Sequence, residues 1–344
     1  MTRQKPVQPG NSCRLGGHKL PGGMAARPWT ERALGPSLGI AELLLGRNTV
    51  MPIQRSTRRR DLPTFRRAAF AAGAAMLLFA GLAVAVMPGA KAAGAGAAEP
   101  KLTSHRAAYE ITLNQSREGV GPTAARGLMV YEFTDACERW VAESRIVLDV
   151  VYGEETPVRT DWSFTSWESK DGRDYGFSMT HKRNERLEED LKGTARLDPG
   201  KGGEAAFAGN VAKQIPLPKG TLFPTAHLLA SLKAALAGQK VFSRPMFDGG
   251  SLDNPYDTNV YIVTAKDRSD KTRALLKKAG FTPELPVWRH QSAFFSMTSG
   301  ESTPVFELEV DYRADGVAER IIQSFGDFAI RMTPVKMERI KGGC

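Results

Sequence analysis

The sequence predicts a mainly β protein whose core is one large antiparallel sheet, closed as a barrel or curled on itself. Three observations predict it. Apolar residues recur at every second position over many segments, with charged residues between them. Turn-forming pairs separate those segments: Asp171-Gly172, Asp198-Pro199-Gly200, Gly249-Gly250 and Asp315-Gly316. A strong helical period occurs once, so the single good helix is left to plug or cover the sheet.

The 344-residue chain begins with a basic arm. Before residue 99 there are 14 Lys or Arg against 3 Asp or Glu; from residue 99 onward, 33 against 34. The formal charge of +10 therefore sits in the arm, and the remainder carries no basic block or motif for nucleic acid. Arg58, Arg59, Arg60, Arg66 and Arg67 precede an uncharged apolar run from Ala68 to Met87, which Pro88-Gly89 ends. Small residues from Ala90 to Ala97 offer cleavage sites, so 51–98 reads as a secretory signal and short linker, cut near Ala92 to Ala97. An uncleaved anchor is the competing reading, weakened by Ala and Gly where Leu and Ile would be expected. The paired arginines also faintly resemble a twin-arginine signal, with imperfect spacing behind them. Residues 1–50 show no sustained period and precede a complete signal, so Met51 is expected to be the true start.

About 240 residues follow from Leu102, without a linker or internal repeat, and 99–344 is expected to be a single periplasmic domain. Tyr109, Ile111 and Leu113 alternate with Glu110, Thr112 and Asn114. Ile146, Leu148 and Val150 continue such a pattern from Trp140, and Trp162 and Phe164 carry it on. Phe306, Leu308, Val310 and Tyr312 form another run, and Phe328, Ile330 and Met332 the last. Each is a half-buried strand. Asp315-Gly316 between Tyr312 and Val317 marks a hairpin. Leu228, Leu229, Leu232, Ala235 and Leu236 line one face of a helix at 224–237, with Pro224 in its first turn and Gly238 after its end. A weaker helix is expected from Ser269 to Ala279, ending at Gly280.

Beyond the leader two cysteines remain, Cys137 and the terminal Cys344. In an oxidising compartment an even pair reads as a disulfide, here closing a loop worth roughly 5 kcal/mol in the chain-entropy model. Two free thiols or an intermolecular bridge is the alternative.

Catalytic motifs are missing: no nucleophile elbow, phosphate loop, zinc spacing or cofactor fingerprint occurs, so no catalytic residue, metal or cofactor is assigned. His227, at the start of the helix, is either a ligand-contacting group or a histidine that fixes its turn, and the second reading is favoured. Acidic clusters such as Glu154-Glu155 and Glu188-Glu189-Asp190 read as solvated faces. Trp162, Trp167, Trp288, Phe294 and Phe295 are candidates, with His227, for lining an apolar cavity, although large side chains at strand spacing are most often core. Phe247-Asp248-Gly249-Gly250 reads as a tight turn that could rim a pocket.

From Leu102 to Cys344 the chain resembles the cell envelope integrity EipB family of alphaproteobacterial periplasmic proteins. The resemblance rests on residues 102–109 (Leu-Thr-Ser-His-Arg-Ala-Ala-Tyr), 131–137 (Tyr-Glu-Phe-Thr-Asp-Ala-Cys) and 217–227 (Leu-Pro-Lys-Gly-Thr-Leu-Phe-Pro-Thr-Ala-His), then Phe247-Asp248-Gly249 and the terminal Cys344. Each is weak alone; their order is specific. The resemblance implies a curled sheet forming an incomplete barrel, or β-spiral, and a disulfide matching Cys137 with Cys344. It also implies a fold similar to the lipoprotein carriers LolA and LolB. The resemblance implies a role in envelope integrity and supplies no ligand. The amphipathic sheet with a helix against one face, and the lack of a catalytic constellation, lead to the expectation of a non-enzymatic envelope-maintenance protein. It would bind a lipid, lipoprotein or peptidoglycan-associated envelope component, or an envelope peptide, in the concave face. The alternatives are an adaptor for a periplasmic protein partner and, less favoured, an envelope hydrolase.

Overall fold

The computed structural model describes residues 99–344 except 210, 283 and 344. The expected extension, start, leader and cleavage site all lie outside the described residues, as does Cys344. Fourteen strands run in chain order as β1 (His105–Ser116), β2 (Ala124–Asp135), β3 (Arg139–Val151), β4 (Val158–Ser169), β5 (Asp174–Arg183), β6 (Arg186–Asp198), β7 (Gly202–Ala208) and β8 (Lys213–Leu217). After helix α1 (Pro224–Leu236) come β9 (Val241–Met246) and β10 (Tyr256–Thr264); after α2 (Asp270–Lys278) come β11 (Val287–Ser296), β12 (Phe306–Arg313), β13 (Ala318–Ser324) and β14 (Phe328–Arg339).

All fourteen belong to one antiparallel sheet, ordered β8-β7-β6-β5-β4-β3-β2-β1-β14-β13-β12-β11-β10-β9. Apart from β8 and β9, which form the two edges, sequence neighbours pair throughout, so the non-local joint is the one between β1 and β14. Because side chains alternate, register fixes which residues share the concave face. Tyr109 lies opposite Met129, Met129 opposite Ile146, and Ile146 opposite Trp162. In the other direction Ile111 pairs with Met332, Met332 with Ile321, Ile321 with Val310, and Val310 with His290. These rows form the lining of the curl. The opposite face carries cross-strand ion pairs, among them Arg145–Asp161, Arg159–Asp149 and the Arg289–Asp311–Arg320 ladder, which suits a solvated convex side.

The sheet curls without closing. Its edges are β8 and β9, and each carries a proline, Pro216 and Pro245, which has no N–H to offer a foreign strand. What joins the two ends is short. The Leu222 N–H donates to the Pro245 carbonyl at 2.9 Å, and the Phe247 N–H donates to the Leu222 carbonyl at 3.1 Å. Phe247 then inserts, fully buried, among Tyr175, Phe177, Phe207 and Phe223, with ring centroids 5.7 to 6.4 Å away. The Tyr175 hydroxyl donates to the Asp248 carbonyl at 2.8 Å. Asp248 Oδ1 accepts from the Gly250 N–H and from the Asn254 side chain, folding the loop on itself. Gly249 is required here twice over: its φ is +71°, and a Cβ would meet the Phe177 ring at 2.5 Å. The segment that the sequence marks as a tight turn is thus the clasp that holds the curl.

The helices start and stop where the sequence indicates. Pro224 opens α1, and Gly238 follows its end at φ +74°. Ser269 caps α2 by accepting from the Thr272 N–H, and Gly280 follows at φ +77°. α1 packs on β9 and β10, whereas α2 packs on β14.

Phe247→Ala would open a cavity inside the ring cluster and loosen the joint. Denaturant unfolding should show a loss of about 3–5 kcal/mol, against less than about 1 kcal/mol for Phe325→Ala, whose ring stacks on Phe328 at the exposed surface.

Candidate functional site

α1 begins with four backbone N–H groups in need of acceptors. Its N-cap residue is Phe223, which has no side-chain acceptor, and its first turn holds no acidic residue. The sheet supplies one instead. Glu168 on β4, 2% exposed, accepts from the Thr225 N–H at 2.7 Å and from the Ala226 N–H at 2.8 Å. The helix dipole favours negative charge at this point. Burial nevertheless pushes the carboxyl up to about 7, and the two backbone donors offset only part of that. The contact fixes α1 across the concave face.

Beneath α1 lies a cavity of about 270 Å³, just below the range of roughly 300–1,000 Å³ typical of small-molecule sites. Apolar atoms come from Met129, Ile146, Trp162, Leu228, Leu308 and Val310, among others. Among the described residues, no Lys, Arg, Asp or Glu lines it. Its polar groups are His105, Tyr109, Tyr131, Ser144, Tyr312 and Gln323. Tyr109 is satisfied, donating to the Ala318 carbonyl at 3.0 Å. The His105 Nδ1 is 2.7 Å from the Thr103 carbonyl, an acceptor, so Nδ1 carries the proton and Nε2 keeps its lone pair. Burial lowers the His105 pKa and keeps the ring neutral. Burial likewise raises Tyr131, helped by the nearby Tyr312, and raises Tyr312 to about 12.

Behind Tyr312 the neutral polar layer continues. The His290 ring stands edge-on to Tyr312 at 5.4 Å, and the His227 ring edge-on to Phe242 at 5.1 Å. Both are buried, and the Nε2 of each has no hydrogen-bond partner among the described residues. Burial lowers each to about 4, and for His227 the proximity of His290 adds to it. Charge is kept to one side in a paired cluster: fully buried Arg313 holds Asp315 through two nitrogens and donates to the Thr282 carbonyl, while Arg268 clamps Glu319.

The described fold and this site meet known proteins at one point. The EipB-like family model matches residues 96–341. The chain belongs to the EipB-like family. It is 30% identical over 290 residues to the cell envelope integrity protein EipB of Brucella abortus (strain 2308), across 81% of this chain and 98% of that protein. It also superposes on a solved structure, a β-barrel-like protein of the domain of unknown function DUF1849 from Brucella abortus, with a TM-score of 0.64 at 28% identity, covering 70% of this chain and 99% of the other.

Of the residues expected to line a cavity, the structure brings Trp162 there, stacked on Phe164 at 5.5 Å. Trp167 lies on the convex face, its ring under the Arg139 guanidinium. Phe295 takes that convex face as well, being opposite in parity to buried, concave-facing Phe294. Trp288 and Phe294 are on the concave face but outside the cavity wall. Trp288, half-buried, packs against the cluster of Ala234, Ala235, Val260 and Ile262, and buried Phe294 stacks on Phe306 at 4.3 Å. His227 sits within the helix–sheet contact and outside the cavity wall. Tyr131, Tyr312, His105 and Glu168 were not singled out as site residues. Their signal was inward parity: polar-tipped residues in rows of otherwise apolar ones.

The buried histidines set a pH response. Each is neutral when folded and titrates near 6.5 when unfolded, so its contribution is complete above pH 6.5 and is lost on acidification toward 4, by up to about 1.4 kcal/mol per pH unit per histidine. Glu168 acts oppositely. Its folded pKa is raised, so between about 4.5 and 7 stability falls as pH rises. Urea unfolding from pH 7.5 to 4.5 should therefore show a net loss, flattened in His227→Gln/His290→Gln and steepened in Glu168→Gln.

Proposed function

We propose that the protein maintains the cell envelope from the periplasm as a non-enzymatic binding protein. It holds an acyl chain of a lipid or lipoprotein, or an envelope peptide, on the concave face beneath α1. The observation that carries this reading is the cavity itself: apolar, free of ionised side chains along its wall, and roofed by a helix fixed at its N-terminus. Its size suits one chain and excludes a whole diacyl lipid. The basic and apolar leader supports export. The name of the Brucella relative supports the envelope role. His227, packed on a ring with no nucleophile as a partner, supports binding over hydrolysis.

A bridge between Cys137 and Cys344 belongs to the same reading. The Gly343 N–H donates to the Asp135 carbonyl at 2.6 Å, and a Cβ built on Gly343 would stand 3.7 Å from the Cys137 sulfur, which brings the tail beside that cysteine. The second reading is an adaptor. It is favoured by an open groove of about 1,040 Å³ across β4 to β7, where Trp167, Arg139, Arg196, Asp198 and Glu204 present mixed charge around an aromatic face.

Native mass spectrometry of protein purified from the periplasm should show a bound species that yields a fatty acid or peptide on release. A bare chain that also fails to take up an acyl-chain probe would count against the cavity, and discrete protein adducts on crosslinking in cells would favour the groove. Non-reducing peptide mapping should link the Cys137 peptide to the C-terminal one, and Cys137→Ala should cost about 2–5 kcal/mol. Recovery of both thiols in alkylated form without reduction would remove the bridge.

A further inference from the structure

The cavity wall is more selective than a greasy pocket needs to be. Two of its tyrosines, Tyr131 on β2 and Tyr312 on β12, present hydroxyls with no protein hydrogen-bond partner among the described residues, although both rings are packed inside the curl. Their neighbour Tyr109 is more deeply buried and donates to the Ala318 carbonyl, which leaves the other two hydroxyls as the tyrosine donors open to the cavity. Both residues are half-buried and line the cavity, so the two hydroxyls are donors that a ligand oxygen can take in place of water. The wall contains no cation to neutralise an anionic group and no carboxylate to pair with a cationic one. The nearest charges, Arg313 with Asp315 and Arg268 with Glu319, are already matched to each other.

We infer that the cavity takes an acyl chain bearing an uncharged oxygen, an ester carbonyl or an alcohol, whose oxygen accepts hydrogen bonds from Tyr131 and Tyr312. The inference rests on the acyl-binding reading above and deepens it by naming the recognised group. An ionised carboxylate is rejected because it would be buried without a counter-ion. A quaternary ammonium has no acceptor to offer the two O–H donors. The medium-chain length follows from the volume.

Calorimetric titration of the exported, full-length mature protein with four probes of one chain length tests this: methyl octanoate, 1-octanol, octanoate at pH 8 and octyltrimethylammonium. The two neutral probes should bind, and the two charged ones should bind at least tenfold more weakly. Tyr131→Phe and Tyr312→Phe keep ring and volume, and each should weaken methyl octanoate about fivefold. If neither neutral probe binds, the acyl-binding reading fails and this inference with it. If all four bind equally and the phenylalanine variants match the parent, the cavity still binds chains but the tyrosine pole is refuted. The probe series requires no variant, so it decides the matter even if a substituted chain misfolds.

Discussion

A sheet of fourteen strands that does not close has to hold its two ends together by side chains, and here that burden falls on Phe247. Backbone hydrogen bonds at the joint are few: Leu222 makes one bridge to β9, and the edge prolines forbid a longer ladder. The ring of Phe247 replaces the missing ladder by joining the loop after β9 to Tyr175, Phe177 and Phe207 on strands at the other end of the sheet. Everything inside the curl follows from that contact. Were the ends apart, the inward rows would face water, and an apolar row facing water has no reason to keep its register.

The second constraint is polar. Burying Glu168 is unfavourable, and the upward push on its pKa shows that desolvation outweighs the pull of the helix N-terminus. The residue is accommodated because a helix laid across the inside of a sheet has its first N–H groups in the same dry place, and each solves the other's problem. The remaining inward polar residues obey one rule: they are neutral. His105, His227 and His290 are held below the ordinary histidine range by burial, and Tyr131 and Tyr312 above the ordinary phenol range. Full charges inside the fold occur where a partner is fixed at hydrogen-bond distance, as Arg313 is to Asp315.

Strands, turns and both helices were legible because they depend on local patterns: period two, glycine at positive φ, proline in a first turn. The faces were half legible. Alternation tells that Trp162 and Trp167 point to opposite sides, since they differ by an odd number of residues, but it does not tell which side is concave. That is decided by pairing partners such as Ile146, and pairing is not a local property. Nor does parity reveal coverage. Trp288 and Phe294 share the concave face, yet the first packs against the contact between α1 and β10 and the second stacks on Phe306, and neither lines the cavity. Glu168 was illegible for a related reason. Its partner is 57 residues away, and nothing near it in sequence calls for a buried carboxylate. The Phe247 turn was recognised as a turn, whereas its role required knowing that β5 and β7 lie opposite it.

The small size of the cavity is a consequence of these same contacts. A curl of fourteen strands could enclose far more than 270 Å³. Two fillings reduce it. The ring cluster occupies the space inside β5 to β8, and α1 occupies much of the rest, with Leu228 reaching the remaining void. The position of α1 is set at one end by Glu168 and along its length by Val260 and Ile262, against which Ala234 and Ala235 pack. The alanines matter here, because a larger residue at either position would lift the helix off β10. The capacity of the void bounded by Tyr131 and Tyr312 is therefore fixed from outside it, by a carboxylate on β4 and two small side chains on α1. The tyrosines choose the chemical group that fits, and the helix sets how much chain can follow it.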